Sequence, residues 1–261
     1  LNFFKNSQIR ILIYYHIEKH HYQKFNKQLR LLKKNWNFVT PKEFEEHLSG
    51  IKKLKGKNLL FTFDDGFKSN LIVEKKILNK FGIKAIFFVP SDFISITSPI
   101  KAKKFMKNNI LDKNIPSDFK YLRNMQFRDL QYLIKKGHTI GAHSKTHANL
   151  NKIKEKKKLN DEIVNSAKIL EKKLNLKINH FAFTYGDYDS IGKESLKIAF
   201  KKFDYIYSSL RGNNFNNKKK NIIKRDAIYI NYTDKLTSFF LSGIVDIRYY
   251  FQLFKLNRLV N

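Results

Sequence analysis

Two adjacent carboxylates, Asp64 and Asp65, directly follow a short apolar run at residues 59–63 and precede Gly66. An apolar run of this length predicts a buried strand. Ligands of α/β folds bind at the carboxyl ends of strands, so two acids at this position indicate a functional site. The alternative is an ordinary Asp-Gly turn that only ends the strand. Polar residues at the other strand ends distinguish between the two.

Three histidines occupy comparable positions. His16 and His143 each end a short apolar run, and His147 follows His143 by four residues. Parallel strands place such ends together, at the carboxyl edge of the sheet. Asp65, His143 and His147 then supply one carboxylate and two imidazoles, a set that suits Zn²⁺ or a similar divalent ion with an open position for water. One His-x-x-x-His spacing arises easily by chance among eight histidines, but together with the Asp pair it favours a metal site.

The elements that must position these residues alternate between strands and helices. This alternation predicts a parallel sheet with helices outside it, closed into a barrel-like α/β fold. Residues 91–124 are the least regular part, and we interpret them as an insertion or lid-like loop region. The pattern predicts strands at 9–17, 59–63, 85–89, 138–143, 181–183 and 204–208, and helices at 22–35, 41–48, 70–81, 126–136, 152–174 and 190–202.

Composition restricts the classes of partner and cofactor. The chain has 261 residues, enough for one large α/β domain with or without an appendage, and it has no cysteine. Any metal must therefore be held by histidine and carboxylate. The net charge of +30 indicates an anionic partner, namely nucleic acid, acidic glycan or anionic lipid, although a Lys- and Asn-rich composition also follows from an AT-rich genome. No nucleic-acid-binding motif is present and lysines are spread along the chain, so no nucleic acid partner is expected.

The sequence contains no signal peptide and no apolar run of the length that spans a bilayer. We therefore expect a bacterial protein that is cytoplasmic or peripheral at the inner membrane. The first residue is Leu1 and not Met, so the sequence leaves open whether further residues precede it. The sequence does not indicate an oligomeric state.

The last stretch, residues 236–260, is unusually apolar and is interspersed with Arg248, Lys255 and Arg258. One interpretation is a terminal helical segment, residues 236–261, packed on a catalytic domain at residues 1–235. The other is an interfacial helix that rests on an anionic membrane surface. We favour packing on the domain.

Three motifs make the chain resemble a known family. Residues 62–66, Thr-Phe-Asp-Asp-Gly, match the first motif of the polysaccharide deacetylases, carbohydrate esterase family 4 with the NodB-homology domain. Residues 143–147, His-Ser-Lys-Thr-His, match the second motif, and residues 181–186 look like the third, an aromatic strand that ends in Tyr-Gly. The similarity extends from about residue 9 to residue 230. It implies a deformed (β/α) barrel of about seven strands.

The resemblance also implies roles for individual residues. Asp65, His143 and His147 would bind one divalent metal ion, Zn²⁺ in the first place and Co²⁺ or Ni²⁺ as alternatives. Asp64 would be the general base that activates the attacking water. A backbone N–H near Tyr185 would help to stabilise the negative charge that develops on the carbonyl oxygen.

The sequence departs from the usual family pattern in two motifs. The late Leu-x-His motif that supplies the general acid is missing, but Tyr15-His16 resembles the early Tyr-His motif of a circularly permuted branch, so His16 would be the acid. Ala182 stands near the position of the arginine that usually orients the base, and Arg225 resembles the arginine that replaces it in that branch. Thr184 stands in place of the usual proline.

The function that the resemblance implies is removal of N-acetyl groups from amino sugars of a cell-surface polysaccharide or its precursor, with an N-acetylated glycan as the substrate. One alternative is another amide or ester hydrolase that uses the same metal site. A second is a non-catalytic relative that only binds glycan.

Overall fold

The computed structural model describes residues 7–111, 115–218 and 221–259. In these ranges a single parallel sheet has the strand order β7-β6-β5-β4-β3-β1-β8. The short β2 pairs with the first part of β3, and β4 pairs with the last part of β3. The expected α/β fold with a deformed barrel of about seven strands is thus confirmed. The strands are Gln8–Tyr14 (β1), Asn37–Phe38 (β2), Lys57–Phe63 (β3), Ala85–Val89 (β4), Thr139–Ala142 (β5), His180–Ala182 (β6), Tyr205–Tyr207 (β7) and Asp226–Ala227 (β8).

Helices cover the outside of this sheet near the positions that the apolar periodicity predicts. The predicted helix at 70–81 ends at Lys76 and is followed by a 3₁₀ turn at Leu78–Phe81, and the predicted helix at 152–174 is divided into Lys156–Asn160 and Ser166–Leu174. Thr40 caps α2 in the expected capping box with Glu43, and Gly82 ends the turn after α3 with a left-handed φ of 66°. The helices are Tyr22–Asn35 (α1), Pro41–Leu48 (α2), Lys68–Lys76 (α3), Ser91–Ser95 (α4), Pro99–Phe105 (α5), Phe127–Lys135 (α6), Lys156–Asn160 (α7), Ser166–Leu174 (α8), Lys193–Lys202 (α9), Asp234–Leu241 (α10) and Tyr250–Arg258 (α11).

Residues 91–124 are more regular than the sequence suggests. They contain α4, α5, a π turn at Met106–Ile110 and a 3₁₀ turn at Phe119–Tyr121. Ser98 caps α5 and Pro99 opens it, and apolar side chains from this region form a small core of their own with Phe67. This local core, which the short apolar pieces in the sequence do not reveal, explains why the region folds instead of forming an open loop.

The two central strands, β1 and β3, run in register from Gln8 opposite Lys57 to Tyr14 opposite Phe63. Side chains alternate between the two faces of each strand. In β3, Leu59, Phe61 and Phe63 pack towards the helices, whereas Leu60 joins the apolar cluster inside the curled sheet. The same alternation directs Thr62 and then Asp64 towards the interior.

The segment after the Asn-rich loop connects the two edges of the curled sheet. Ile223 forms a parallel bridge with Tyr207 of β7, and three residues later β8 pairs with Leu12 and Ile13 of β1. Arg225 lies between these two pairings, and its backbone N–H donates to the carbonyl oxygen of Leu210 (3.0 Å). The closure of the sheet therefore carries Arg225 into the interior.

The last described elements are α10, a 3₁₀ turn at Ile244–Tyr249, and α11. Leu241 and Leu256 are buried in the main core, and Asp246 forms an ion pair with the fully buried Arg10 of β1. These three residues hold the last elements against the main core and β1. The domain boundary at residue 235 stays a prediction. Across the described ranges, none of the helices is both long enough and apolar enough to cross a membrane.

Candidate metal centre and catalytic cleft

Asp64 and Asp65 lie at the carboxyl end of β3, where the chain turns sharply. Asp65 and Gly66 both have left-handed backbone conformations, with φ of 73° and 75°. Gly66 is required here for a second reason, because a Cβ atom on it would lie 2.9 Å from Cδ1 of Ile94. The turn thus separates the directions of two neighbouring carboxylates.

The carboxylate of Asp65 meets the two histidines of the second motif. Its Oδ1 lies 3.5 Å from Nε2 of His143 and 3.2 Å from Nε2 of His147. One ligand atom from each of the three residues falls within 4.8 Å of the other two. Oδ1 of Asp65 is buried and has no hydrogen bond of acceptable geometry, so the three side chains converge on a shared point without satisfying one another. A divalent cation held by these three side chains would satisfy this buried oxygen.

Backbone carbonyls fix the orientation of both imidazoles. Nδ1 of His143 donates to the carbonyl oxygen of Ala182 (2.8 Å), and Nδ1 of His147 donates to that of Asn109 (2.7 Å). A carbonyl can only accept, so the proton of each neutral ring is on Nδ1 and the lone pair is on Nε2. Both lone pairs are therefore available on the side that faces Asp65, as a metal site with oriented histidine ligands requires.

The charges in this group favour ligation as well. Burial by itself would raise the pKa of Asp65, but His143 and His147 outweigh that effect and hold the pKa below its usual range. Burial would lower the pKa of His147, and Asp65 outweighs it, so the pKa of His147 is raised. Asp65 therefore remains ionised near neutral pH and can serve as an anionic ligand.

The second carboxylate, Asp64, has a different partner. Oδ1 and Oδ2 of Asp64 accept from the two terminal nitrogens of Arg225 at 2.8 and 2.9 Å. Nε of Arg225 donates to the carbonyl oxygen of Ser208 (2.9 Å), and its guanidinium lies 5.1 Å from the ring centroid of Phe88. Both members of the ion pair are buried. Arg225 thus holds the plane of the Asp64 carboxylate and compensates its charge.

His16, just beyond β1, lies in the same cleft and is held at both ring nitrogens. Nε2 donates to the carboxylate of Asp118 (2.8 Å), and Nδ1 lies 2.7 Å from Oγ of Ser69. The serine hydroxyl can donate to neutral histidine or accept from the imidazolium, so both protonation states are satisfied. Transfer of a proton to a substrate requires one of these two hydrogen bonds to open.

These side chains share one open cleft of about 600 Å³ at the carboxyl edge of the sheet. Tyr185 is 41% exposed on its rim, and its ring centroid lies 5.4 Å from that of His147. Arg225 lies behind Asp64, outside the lining. The structure therefore brings together all seven residues that the sequence analysis proposes. Besides apolar residues and Glu18, the lining consists of Tyr15, His16, Asp64, Asp65, His143, His147, Tyr185 and Tyr229.

Backbone strain is concentrated at this cleft. Among the described residues, five that are not glycine have positive φ, and four of them are site residues or lie between two of them. Such conformations persist only where the surrounding structure holds them, and they are typical of functional sites. The four are Asp65, Ser144, His147 and Tyr185; the fifth, Asn175, ends α8.

Glu162 holds the loop between the two histidines of the second motif. Its Oε2 accepts from the backbone N–H groups of Lys145 (3.0 Å) and Thr146 (2.9 Å), and its Oε1 accepts from the Thr146 hydroxyl (2.6 Å). Glu162 belongs to a π turn at Asp161–Asn165 that interrupts the predicted long helix between α7 and α8. Such turns are frequent at functional sites because they redirect a side chain.

We expect Glu162→Gln to weaken divalent-ion binding roughly tenfold, since a partner that positions metal ligands contributes about that much. The amide oxygen can still accept from the two backbone N–H groups, but the substitution removes the negative charge that strengthens these hydrogen bonds. Isothermal titration with Zn²⁺ measures the effect. Glu171→Gln, on α8 and paired with Lys202, is the matched control. Equal affinities of the two variants would show that the loop does not depend on Glu162.

Three positions escape the sequence analysis. Asp118, Asn109 and Glu162 contact His16, His147 and the 143–147 loop from segments far away in the chain. Asp118 and Asn109 lie in the region that the sequence suggests is a loop, where no pattern marks them. The helix interruption at Glu162 has no signal in the apolar periodicity.

Several solved structures resemble this fold over most of the chain. A Streptococcus pyogenes deacetylase, PplD, in complex with acetate aligns with a TM-score of 0.69 and 19% identity, covering 88% of this chain and 96% of that one. IcaB from Ammonifex degensii aligns with a TM-score of 0.65 and 19% identity over 90% and 96% of the two chains. A de-N-acetylase from Aggregatibacter actinomycetemcomitans aligns with a TM-score of 0.70 and 14% identity, covering 89% of this chain and 99% of that one. At these identities the likeness shows a shared fold.

The sequence itself provides the assignment to a family. A comparison with curated proteins gives no match. The family model for polysaccharide deacetylases, however, matches residues 51–199, which is more than half of the chain and includes both Asp-Asp and His-x-x-x-His motifs. The family supports the carbohydrate deacetylase class that the three motifs imply. The chain belongs to the polysaccharide deacetylase family.

Proposed function

We propose that this protein is a metal-dependent hydrolase that removes N-acetyl groups from amino sugars of a cell-surface polysaccharide or its precursor. The observation that carries the proposal is the convergence of Asp65, His143 and His147 around a buried, unsatisfied carboxylate oxygen. Asp64 lines the same cleft and is held from behind by Arg225. A ligand set and a separate, oriented base are the two parts that metal-assisted amide hydrolysis needs.

Asp65, His143 and His147 would hold a divalent ion, with Zn²⁺ typical of such a set and Co²⁺ or Ni²⁺ as alternatives. When bound, the ion would polarise the acetyl carbonyl and acidify a water molecule. Asp64 takes the proton of the attacking water, and Arg225 keeps the carboxylate ionised and in plane. His16 donates a proton to the amine that leaves, and a backbone N–H near Tyr185 faces the developing oxyanion.

The rim of the cleft supports a sugar substrate. Tyr15, Tyr185 and Tyr229 line it and are 40%, 41% and 60% exposed. An aromatic ring with a hydroxyl offers an apolar face and a polar edge, which suits the mixed surface of a pyranose ring. The open side of the cleft accommodates one residue of a longer glycan.

Acetate release tests the proposed function directly. We expect acetate from N-acetylated oligosaccharides, loss of that activity after chelation, and its return when Zn²⁺, Co²⁺ or Ni²⁺ is restored. A simple aryl acetate ester, supplied in parallel, separates a general esterase from an amino-sugar deacetylase. A metal-loaded protein that releases no acetate from any glycan would contradict the proposal.

His16→Ala is expected to lower kcat roughly 10²-fold, at the low end of general acid–base effects, because solvent in the open cleft can partly replace the acid. Metal affinity should stay unchanged, since His16 is bonded to Asp118 and Ser69 and not to the proposed ligands. Acetate release and Zn²⁺ titration measure the two quantities. His20→Ala, a nearby exposed histidine, is the control. An unchanged kcat in His16→Ala would exclude the acid role.

A further inference from the structure

The segment that follows the barrel exposes an apolar surface that is separate from the catalytic cleft. Seven of the fifteen large apolar side chains exposed among the described residues fall within residues 236–254. Scattered single apolar residues on a surface are ordinary, but a concentration of this kind marks an interaction site. We call these residues the aromatic patch: Leu236, Phe239, Ile244, Ile247, Tyr250, Phe251 and Phe254.

The outward direction of the patch follows from the helical spacing. Ile247 lies in the 3₁₀ turn before α11, and Tyr250, Phe251 and Phe254 follow it on one face of α11. They are 79%, 63%, 73% and 48% exposed. The opposite side of the same stretch, with Leu256 fully buried, packs on the main core. The stretch is therefore apolar on two faces, and the core covers only one of them.

Several contacts fix the segment in this orientation. Asp246 pairs with the buried Arg10, and Arg211 donates to the carbonyl oxygen of Phe240 (3.1 Å) while its guanidinium lies over the ring of that residue. Leu241 is buried between these two anchor points in the sequence. The exposed face is thus not a consequence of a detached helix.

The charges at the patch identify its partner. Arg248, Lys255 and Arg258 are exposed beside the outer face, and the guanidinium of Arg258 lies 4.6 Å from the ring centroid of Phe254. The nearest acids in the sequence are Asp234, at the start of α10, and Asp246, which is paired with Arg10. A face of Phe, Tyr and Ile flanked by Arg and Lys is the composition of a segment that lies in the interface of an anionic bilayer.

We infer that the aromatic patch docks this protein on an anionic membrane surface, with the apolar rings among the acyl chains and the basic groups at the lipid headgroups. The net charge of +30 adds a long-range attraction to the same surface. A second copy of this chain would instead bring Arg248, Lys255 and Arg258 of both copies together, which charge repulsion opposes. Docking on a bilayer is distinct from the proposed deacetylation and does not depend on it.

Co-sedimentation of the full chain with vesicles tests the inference. We expect binding to vesicles of phosphatidylcholine mixed with phosphatidylglycerol, little binding to pure phosphatidylcholine, and weaker binding at high salt. The double variant Ile247→Ser/Phe251→Ser should bind at least about tenfold less, because it removes two large apolar groups from the interface. Both side chains are exposed, so the variant is expected to fold.

Two matched controls separate the patch from general effects. Ile51→Ser/Ile100→Ser changes two residues that are 79% and 81% exposed elsewhere, and it should bind like the unmodified protein. Arg248→Gln/Lys255→Gln/Arg258→Gln should bind more weakly than Lys154→Gln/Lys157→Gln/Lys172→Gln, which removes the same charge from another face. Equal binding within either comparison, no binding to anionic vesicles, or a dimer in light scattering that Ile247→Ser/Phe251→Ser abolishes would each overturn the inference.

Discussion

Replacing Asp64 with asparagine is expected to lower kcat by roughly 10³- to 10⁴-fold while Zn²⁺ affinity is retained, the upper part of the range for losing a general base. Asp64 is bonded to Arg225, and the three convergent ligand atoms belong to other residues. Asparagine keeps the shape of the side chain but cannot take up a proton near neutral pH. Acetate release and isothermal titration measure the two quantities on the same preparation.

The neighbouring carboxylate is the matched control. Asp65→Asn should lose Zn²⁺ affinity first and activity as a consequence, because Oδ1 of Asp65 lies between Nε2 of His143 and Nε2 of His147. The two substitutions are chemically identical and one residue apart, so they separate base from ligand. Loss of metal affinity in Asp64→Asn would reassign Asp64 as a ligand. This outcome is sterically feasible, because Oδ2 of Asp64 lies only 3.9 Å from Nε2 of His143. Unchanged turnover would exclude the base role.

Arg225→Met is expected to reduce both turnover and stability. The substitution leaves the buried Asp64 carboxylate without its counter-charge, which typically costs about 3–5 kcal/mol of the free energy of unfolding. We also expect kcat to fall roughly 10³-fold, because an unpaired, disoriented base loses most of its contribution. Urea denaturation and acetate release at a permissive temperature measure the two effects.

Arg225→Lys keeps the charge and tests the geometry of the fork. A lysine cannot donate to both oxygens of Asp64 in one plane, so we expect turnover to fall. The loss of stability should be smaller than in Arg225→Met, because the positive charge is kept. Arg211→Lys is the control: Arg211 is also buried and lies 3.3 Å from Asp226, but its hydrogen bonds go to the carbonyl oxygens of Ala227 and Phe240 and not to Asp64. If Arg211→Lys lowers kcat as much as Arg225→Lys, the effect reflects general stability and not the orientation of the base.

The patterns that the sequence carries locally predict the fold and the metal ligands. An apolar run that stops at two acids and a His-x-x-x-His pair at another strand end each occupy a few consecutive residues. Parallel strands place their carboxyl ends on one edge, so Asp65, His143 and His147 are brought together by topology alone. The alternation of apolar residues also directs Asp64 and Asp65 differently, once the turn at Gly66 is formed.

The role of Arg225 depends on a feature that no local pattern contains. Arg225 is separated from Asp64 by 161 residues, and it reaches the base only because residues 223–227 connect the two edges of the sheet. Its assignment from the sequence therefore rests on the family resemblance alone. The contacts of Asp118 with His16 and of Glu162 with the 143–147 loop likewise join distant segments, and they depend on how those segments pack.

The last helical segment also separates what the local sequence predicts from what the packing decides. Its apolar composition left two interpretations, packing on the domain or lying on a membrane, because a list of apolar residues does not say which face is covered. The tertiary structure buries Leu241 and Leu256 and leaves Ile247 and Phe251 exposed. Local periodicity thus determined which elements form and which strand ends carry chemistry. Only the packing of distant segments decided which partner each polar group meets and which apolar face stays open, since those choices depend on contacts that are not local in sequence.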